Sequence, residues 1–173
     1  MALSLADPDE FGPAQGQDGT LLRGSPGLVK DDIAVRGFPL TCGSTALRGW
    51  YPRRDAAAVR ALRAAGGRVI GKANLSEWAG GRSSLQVRGW SSMGGQLGHP
   101  RDARHSPGGS SSGSAVAVAE GLVDWALGSE LVGSVVGPAS INGIFGLKPT
   151  LGTIPSDGLM PIDSGPSQST IGI

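Results

Sequence analysis

Hydrophobic and polar positions along this chain follow two different periods. In the run Asp55-Ala-Ala-Ala-Val-Arg-Ala-Leu-Arg-Ala-Ala-Gly66, Val59 and Leu62 share one helical face while Arg60 and Arg63 lie off it. Asp55 is placed to cap that helix and Gly66-Gly67 to stop it. Arg68-Val-Ile-Gly-Lys-Ala73 then reads as a short strand and Asn74-Leu-Ser-Glu-Trp78 as a short capped helix. Upstream, residues 27–35 read as a buried strand that enters a polar turn and resumes. Lys30 interrupts its apolar positions, and a lysine so placed ordinarily carries its amine out to solvent. Residues 111–123 are small on every face and predict a second, buried helix, followed by a strand at 124–128 and a helical turn at 138–143. Residues 80–109 form a long loop with Trp90 as its expected anchor. Beyond 146, short turns and strand alternate. Residues 1–24 lack periodicity and read as a loosely held arm, leaving 25–173 as the core segment. Strand, helix and strand in succession predict an α/β sheet.

Composition narrows the function classes. A chain of 173 residues with 39% apolar content suggests one domain with a real core. Its net charge of +1 comes from scattered basic residues, so neither nucleic acid nor a membrane surface is an expected partner. The single cysteine, Cys42, excludes an internal disulfide and a thiolate metal site, and reads as a small buried hydrophobe. No metal or cofactor is expected. The N-terminus turns acidic before a signal-peptide core develops, and no apolar run approaches the ~18 residues of a membrane span. A cytoplasmic protein is the expectation. Glycine and proline, at 30 and 12 residues, punctuate periodic segments, which favours tight turns over disorder.

Two motif matches fail on physical grounds. Gly66-x-x-x-x-Gly71-Lys72 imitates a phosphate-binding loop, but Ala73 replaces the metal-binding hydroxyl and the glycines run from helix to strand, the reverse of the required order. Gly109-Ser-Ser111-Ser-Gly113 matches the nucleophile elbow of α/β-hydrolases, yet no histidine follows His105 to serve as base. An esterase acting through Ser111 would need a base from elsewhere. Arginine stays charged and carboxylates are weak bases towards hydroxyls. A lysine serves if burial populates its neutral amine. The three lysines are Lys30, Lys72 and Lys148, with no Ser-x-x-Lys pair, and pattern alone does not choose among them.

At this point the chain resembles the amidase signature family of Ser-cisSer-Lys hydrolases. The likeness runs from about Gly27 to Ile173. It rests on Leu28-Val-Lys-Asp-Asp-Ile, Val69-Ile-Gly-Lys-Ala-Asn-Leu-Ser-Glu-Trp78, Ser106-Pro-Gly-Gly-Ser-Ser-Ser-Gly-Ser114, Gly133-Ser-Val-Val-Gly-Pro-Ala-Ser140 and Gly143-Ile-Phe-Gly-Leu-Lys-Pro-Thr150. The 74–78 block and Gly94-Gly-Gln96 are similar to the peptide-amidase-like branch. The resemblance implies a mixed sheet flanked by helices, with Lys30 as base, Ser110 as the cis-peptide relay and Ser134 as nucleophile. The 24-residue spacing from Ser110 to Ser134 is the family's own. Backbone amides of Leu131, Val132, Gly133 and Ser134 would hold the oxyanion. The implied reaction is hydrolysis of a small amide or peptide amide through an acyl-enzyme.

Three departures accompany the likeness. Val132 replaces the first of two glycines that many members carry before the nucleophile, and Arg104-His105 stands where Asp-Arg is common. Asp32 stands where asparagine is usual and is placed to hold Lys30 protonated. Length is a further difference: members have a helical segment before the lysine strand and a long C-terminal half after position 173. The fold is therefore expected to be incomplete at both ends, with exposed apolar surface that a homo-oligomer or a C-terminal portion would cover. The competing expectation is an inactive, truncated amidase-like protein with a binding or structural role.

Overall fold

The computed structural model describes residues 2–5, 20–80, 87–161 and 170–172. Five strands form one sheet in the order β1 (Ala2–Leu5), β3 (Arg68–Ala73), β2 (Pro26–Lys30), β6 (Trp125–Glu130) and β7 (Thr170–Gly172). The three central strands run parallel, and the two outer ones pair antiparallel to β3 and β6. Parallel neighbours need a crossover. Helix α1 (Ala57–Ala64) lies on the connection from β2 to β3, and α2 (Ser112–Ala119) on the longer one that brings β6 to the other side of β2. Helix α3 (Val136–Asn142) follows β6 and ends at Gly143 with φ +71°. A small hairpin, β4 (Trp90–Ser91) with β5 (Gly95–Gln96), stands apart from the main sheet. Among the described residues no helix is long and apolar enough to cross a membrane.

Alternation along the strands sorts the core into two layers. Val29, Val69 and Leu127 pack towards α1 with Ile33, Phe38, Ala58 and Val59. Leu28, Ala73 and Ala126 pack with Ala117 of α2 and Val123. Val29 pairs with Lys72 and Lys30 with Ala73. The two lysines therefore leave the sheet on opposite faces, Lys72 towards α1 and Lys30 towards α2.

Several elements differ from what the pattern predicted. Asp55 does not cap α1, whose cap position is Ala56 with no side-chain bond. The Asp55 carboxylate instead accepts from the Arg36 amide at 2.7 Å and pairs with Arg63 at 3.3 Å, a tertiary use that outcompetes the local one. The resumed strand after Lys30 is a turn with an isolated bridge from Ile33 to Leu159. Residues 74–76 are not helical, and a distorted turn spans Glu77–Gly80 with Trp78 and Ala79 left-handed. Trp90 does not anchor its loop, being 44% exposed. The buried residue there is Ser91, which donates to Asn74 Oδ1 at 2.7 Å. Within 1–24, Ala2–Leu5 pairs with β3, the Leu22 and Gly24 amides bond to the Ala65 and Gly66 carbonyls, and 6–19 lie outside the described residues. Residues 146–154 hold turns but no strand.

Candidate active site

Lys30 ends the middle strand of the sheet, so neighbouring strands flank it and α2 covers its face. Its side chain has no exposure, contrary to the expectation that it reaches solvent. The cost of burying the amine is offset by a full set of partners. Nζ donates to Ser110 Oγ at 2.8 Å, Ser129 Oγ at 2.7 Å and the Ser129 carbonyl at 3.2 Å. Asp32 Oδ2 lies 3.2 Å away and accepts from Ser129 Oγ at 2.5 Å. Burial pulls the Lys30 amine below the ordinary lysine value, while the charge and hydrogen bond of Asp32, followed by the charge of Glu130, act in the opposite direction.

The serine-rich turn before α2 brings Ser110 to this amine. The Gly109–Ser110 peptide is cis. The Ser110 carbonyl accepts from the Ser76 amide at 3.1 Å, just past the end of β3, and Asn142 of α3 donates to the Pro107 carbonyl at 2.8 Å. Gly109 is required by proximity: a Cβ there would lie 2.5 Å from Ser76 Oγ and 3.0 Å from Ser112 Oγ. Ser112 Oγ donates back to the Gly108 carbonyl at 2.6 Å and closes the turn.

Ser134 joins the group through the backbone. The amide of Ser111, next to Ser110, donates to the Ser134 carbonyl at 3.1 Å. Ser134 keeps 9% exposure whereas Lys30 and Ser110 have none, so the three are graded from interior to surface. Leu131 and Val132 are exposed beside it. Of the four amides expected to form an oxyanion hole, that of Gly133 donates to Glu130 Oε1 at 2.9 Å. Glu130 Oε2 accepts from Val135 at 2.7 Å and Val136 at 3.0 Å, so this carboxylate shapes the turn and opens α3. Burial pushes the Glu130 carboxyl upward, but the Val136, Val135 and Gly133 amides together with the charge of Lys148 outweigh it, and the group sits below its ordinary value.

Glu130 and Ser129 were not singled out in the sequence. Glu130 ends β6, five residues before the cap position of α3, and Ser129 lies inside the same strand, so neither carries a local signal. Lys72, the lysine without an expected role, is also fully buried, bound to Asp31 Oδ1 at 3.0 Å and the Pro39 carbonyl at 3.2 Å. Asp31 Oδ2 in turn accepts from the Thr41 hydroxyl and amide. Lys148 is exposed, and its charge acts on Glu130. Ser111 Oγ exchanges 3.3 Å bonds with the backbone of Ser129 and contacts no histidine among the described residues. Cys42 is buried and its thiol is pushed up to about 12 by burial and then by Asp32 and Asp31, which disfavours the thiolate. No cluster of His, Cys, Asp or Glu suited to a metal occurs among the described residues. A cavity of about 710 Å³ opens between α2, β6 and residues 143–147, but Lys30, Ser110 and Ser134 do not line it.

Comparison with known proteins extends these observations to nearly the whole chain. The chain is 46% identical over 141 residues to a putative amidase of Schizosaccharomyces pombe, which covers 81% of the chain and 24% of that protein. It is 46% identical over 147 residues to a glutamyl-tRNA(Gln) amidotransferase subunit of Symbiobacterium thermophilum, covering 85% of the chain and 29% of the relative. Among solved structures, native peptide amidase from Stenotrophomonas maltophilia superposes with a TM-score of 0.81 at 51% identity, over 86% of this chain and 30% of that one. The chain thus spans less than a third of the length of each of these proteins. A family model described as Amidase matches residues 6–173, and the chain belongs to the amidase family.

Proposed function

We propose that this chain carries the catalytic segment of a hydrolase that splits the carbon–nitrogen bond of a linear carboxamide. One observation carries the reading: a lysine amine with no exposure stands 2.8 Å from a buried serine hydroxyl, next to a residue tied to the Ser134 backbone. A contact of that length serves in either direction. The charged amine donates to Ser110, and the neutral amine accepts from it. Neutral Lys30 takes the Ser110 proton as Ser110 takes that of Ser134, and Ser134 Oγ attacks the amide carbonyl. Backbone amides of Leu131, Val132, Gly133 and Ser134 are the donors offered to the oxyanion, with that of Gly133 shared with Glu130. The proton on Lys30 returns through Ser110 to the leaving nitrogen, which departs as ammonia or an amine. Water then attacks the acyl-enzyme by the same relay and releases the acid.

The likeness to a peptide amidase supports a small amide or a peptide amide as substrate. Exposed Leu131, Val132, Phe145 and Leu147 support a larger assembly, in which a second copy or further polypeptide covers this flank. The test is ammonia release from a series of primary amides by purified protein beside Ser134→Ala. Turnover lost in the variant is the expected result. Equal rates for the two proteins would leave the chain as a non-catalytic member of its family.

A further inference from the structure

Lys30 has one neighbour that the reaction does not consume. Asp32 has no exposure, and its Oδ2 stands within bonding distance of two donors, Lys30 Nζ at 3.2 Å and Ser129 Oγ at 2.5 Å. Its second oxygen, Oδ1, is buried and has no hydrogen-bond partner among the described residues. Oδ2 is therefore the oxygen that meets the amine, and Lys30 with Asp32 forms the ion pair of the site. Ser129 makes it a closed triangle, because its hydroxyl accepts from Lys30 while donating to Asp32.

We propose that Asp32 is a positioning residue that keeps the proton on Lys30 in the resting protein and so sets the pH at which the site gains its base. This rests on the amidase reading of the site and deepens it. The other charges around Lys30 are less able to do this. Asp31 faces away and is committed to Lys72, Thr41 and the 41–43 backbone. Glu130 is turned towards the amides of 133–136, and the Cys42 thiol carries no charge in the working pH range. Ser110 and Ser129 are neutral. Asp32 is the carboxylate in contact with the amine, and an opposite charge at such range moves a titration by roughly one to three pH units.

The sign follows. Asp32 favours the charged amine, and the relay needs the neutral one. Replacing the carboxylate by the isosteric amide should move the Lys30 midpoint, and the acidic limb of the pH–rate profile, to lower pH. The measurement is the pH titration of ¹³Cε-labelled lysine by NMR in the full chain, with Lys30 assigned by loss of its signal in Lys30→Met. A fall in the midpoint of roughly one to three units in Asp32→Asn is expected. An unmoved or raised midpoint overturns the proposal. A second readout uses unaltered protein: the Asp32 ¹³Cγ resonance should move in step with Lys30, and one that stays flat through that titration also overturns it. Labelling of Ser134 by a fluorophosphonate, with Ser134→Ala as control, tests the hydrolase reading separately, since the titration needs no turnover.

Discussion

Lys30 and Lys72 sit on adjacent parallel strands, both without exposure, each beside an aspartate about 3 Å away. Burial pulls both amines below the ordinary lysine value against the aspartate's opposition. What separates them is the rest of the partner set. Lys72 meets Asp31 and a carbonyl, Pro39, which can only accept. Loss of its proton would leave the amine lone pair facing groups that only accept, and the buried Asp31 carboxylate without its counter-charge. Lys30 meets two hydroxyls, Ser110 and Ser129, and a hydroxyl can reverse the sense of its bond. One lysine is fitted to stay charged and pin the 31–43 loop to the sheet. The other is fitted to alternate between charged and neutral. A buried Lys–Asp pair is thus not a function in itself; the donors and acceptors that complete the shell decide what it does.

This contrast can be broken at each end. Lys30→Met removes the proposed proton acceptor and should lower amide turnover by roughly 10⁴-fold or more, measured as ammonia release, with the fold retained by circular dichroism. Lys72→Met should do the reverse. It strands Asp31 as an uncompensated buried charge and should cost about 3–5 kcal/mol in denaturant unfolding, with turnover per folded molecule preserved. A Lys72 variant that unfolds normally but loses turnover would erase the distinction.

Glu130 sharpens the comparison from a third position, as a buried acid whose partners are backbone donors. Glu130→Gln should cost about 1–2 kcal/mol, since a neutral amide oxygen is a weaker acceptor for the 133–136 turn. Its folded-state pKa lies below the unfolded value near 4.5. The carboxylate's contribution is therefore complete above that value and is lost as pH falls through the folded one. Stability of the unaltered protein should decline in that acidic window, and the glutamine variant should decline less.

Much of the fold was legible in the pattern. The strand at 68–73 is observed with the bounds the sequence suggested, and α2 is buried because its residues are small on every side. Errors fell where a polar side chain had two plausible uses. Asp55 had a helix start nearby and was taken instead by the Arg36 amide across the chain. Asn74 had the look of a cap and serves as a hub for Leu75 and Ser91. Trp90 was expected to hold its loop, yet a serine does so, because hydrogen bonds fixed the short hairpin where apolar area did not.

The site divides the same way. Sequence supplied three lysines and a surplus of serines, and resemblance to a family singled out Lys30, Ser110 and Ser134. By itself the chain determined which groups were available, since chemistry follows from residue type: an amine that can lose its proton and hydroxyls that can relay one. Tertiary structure decided which amine meets hydroxyls and which meets only acceptors. That depends on a strand register that turns Lys30 and Lys72 to opposite faces, and on residues 80 to 99 positions away in the chain, Ser110 and Ser129, arriving at one strand end. Local periodicity has no term for contacts at that separation, so only the folded chain could decide them.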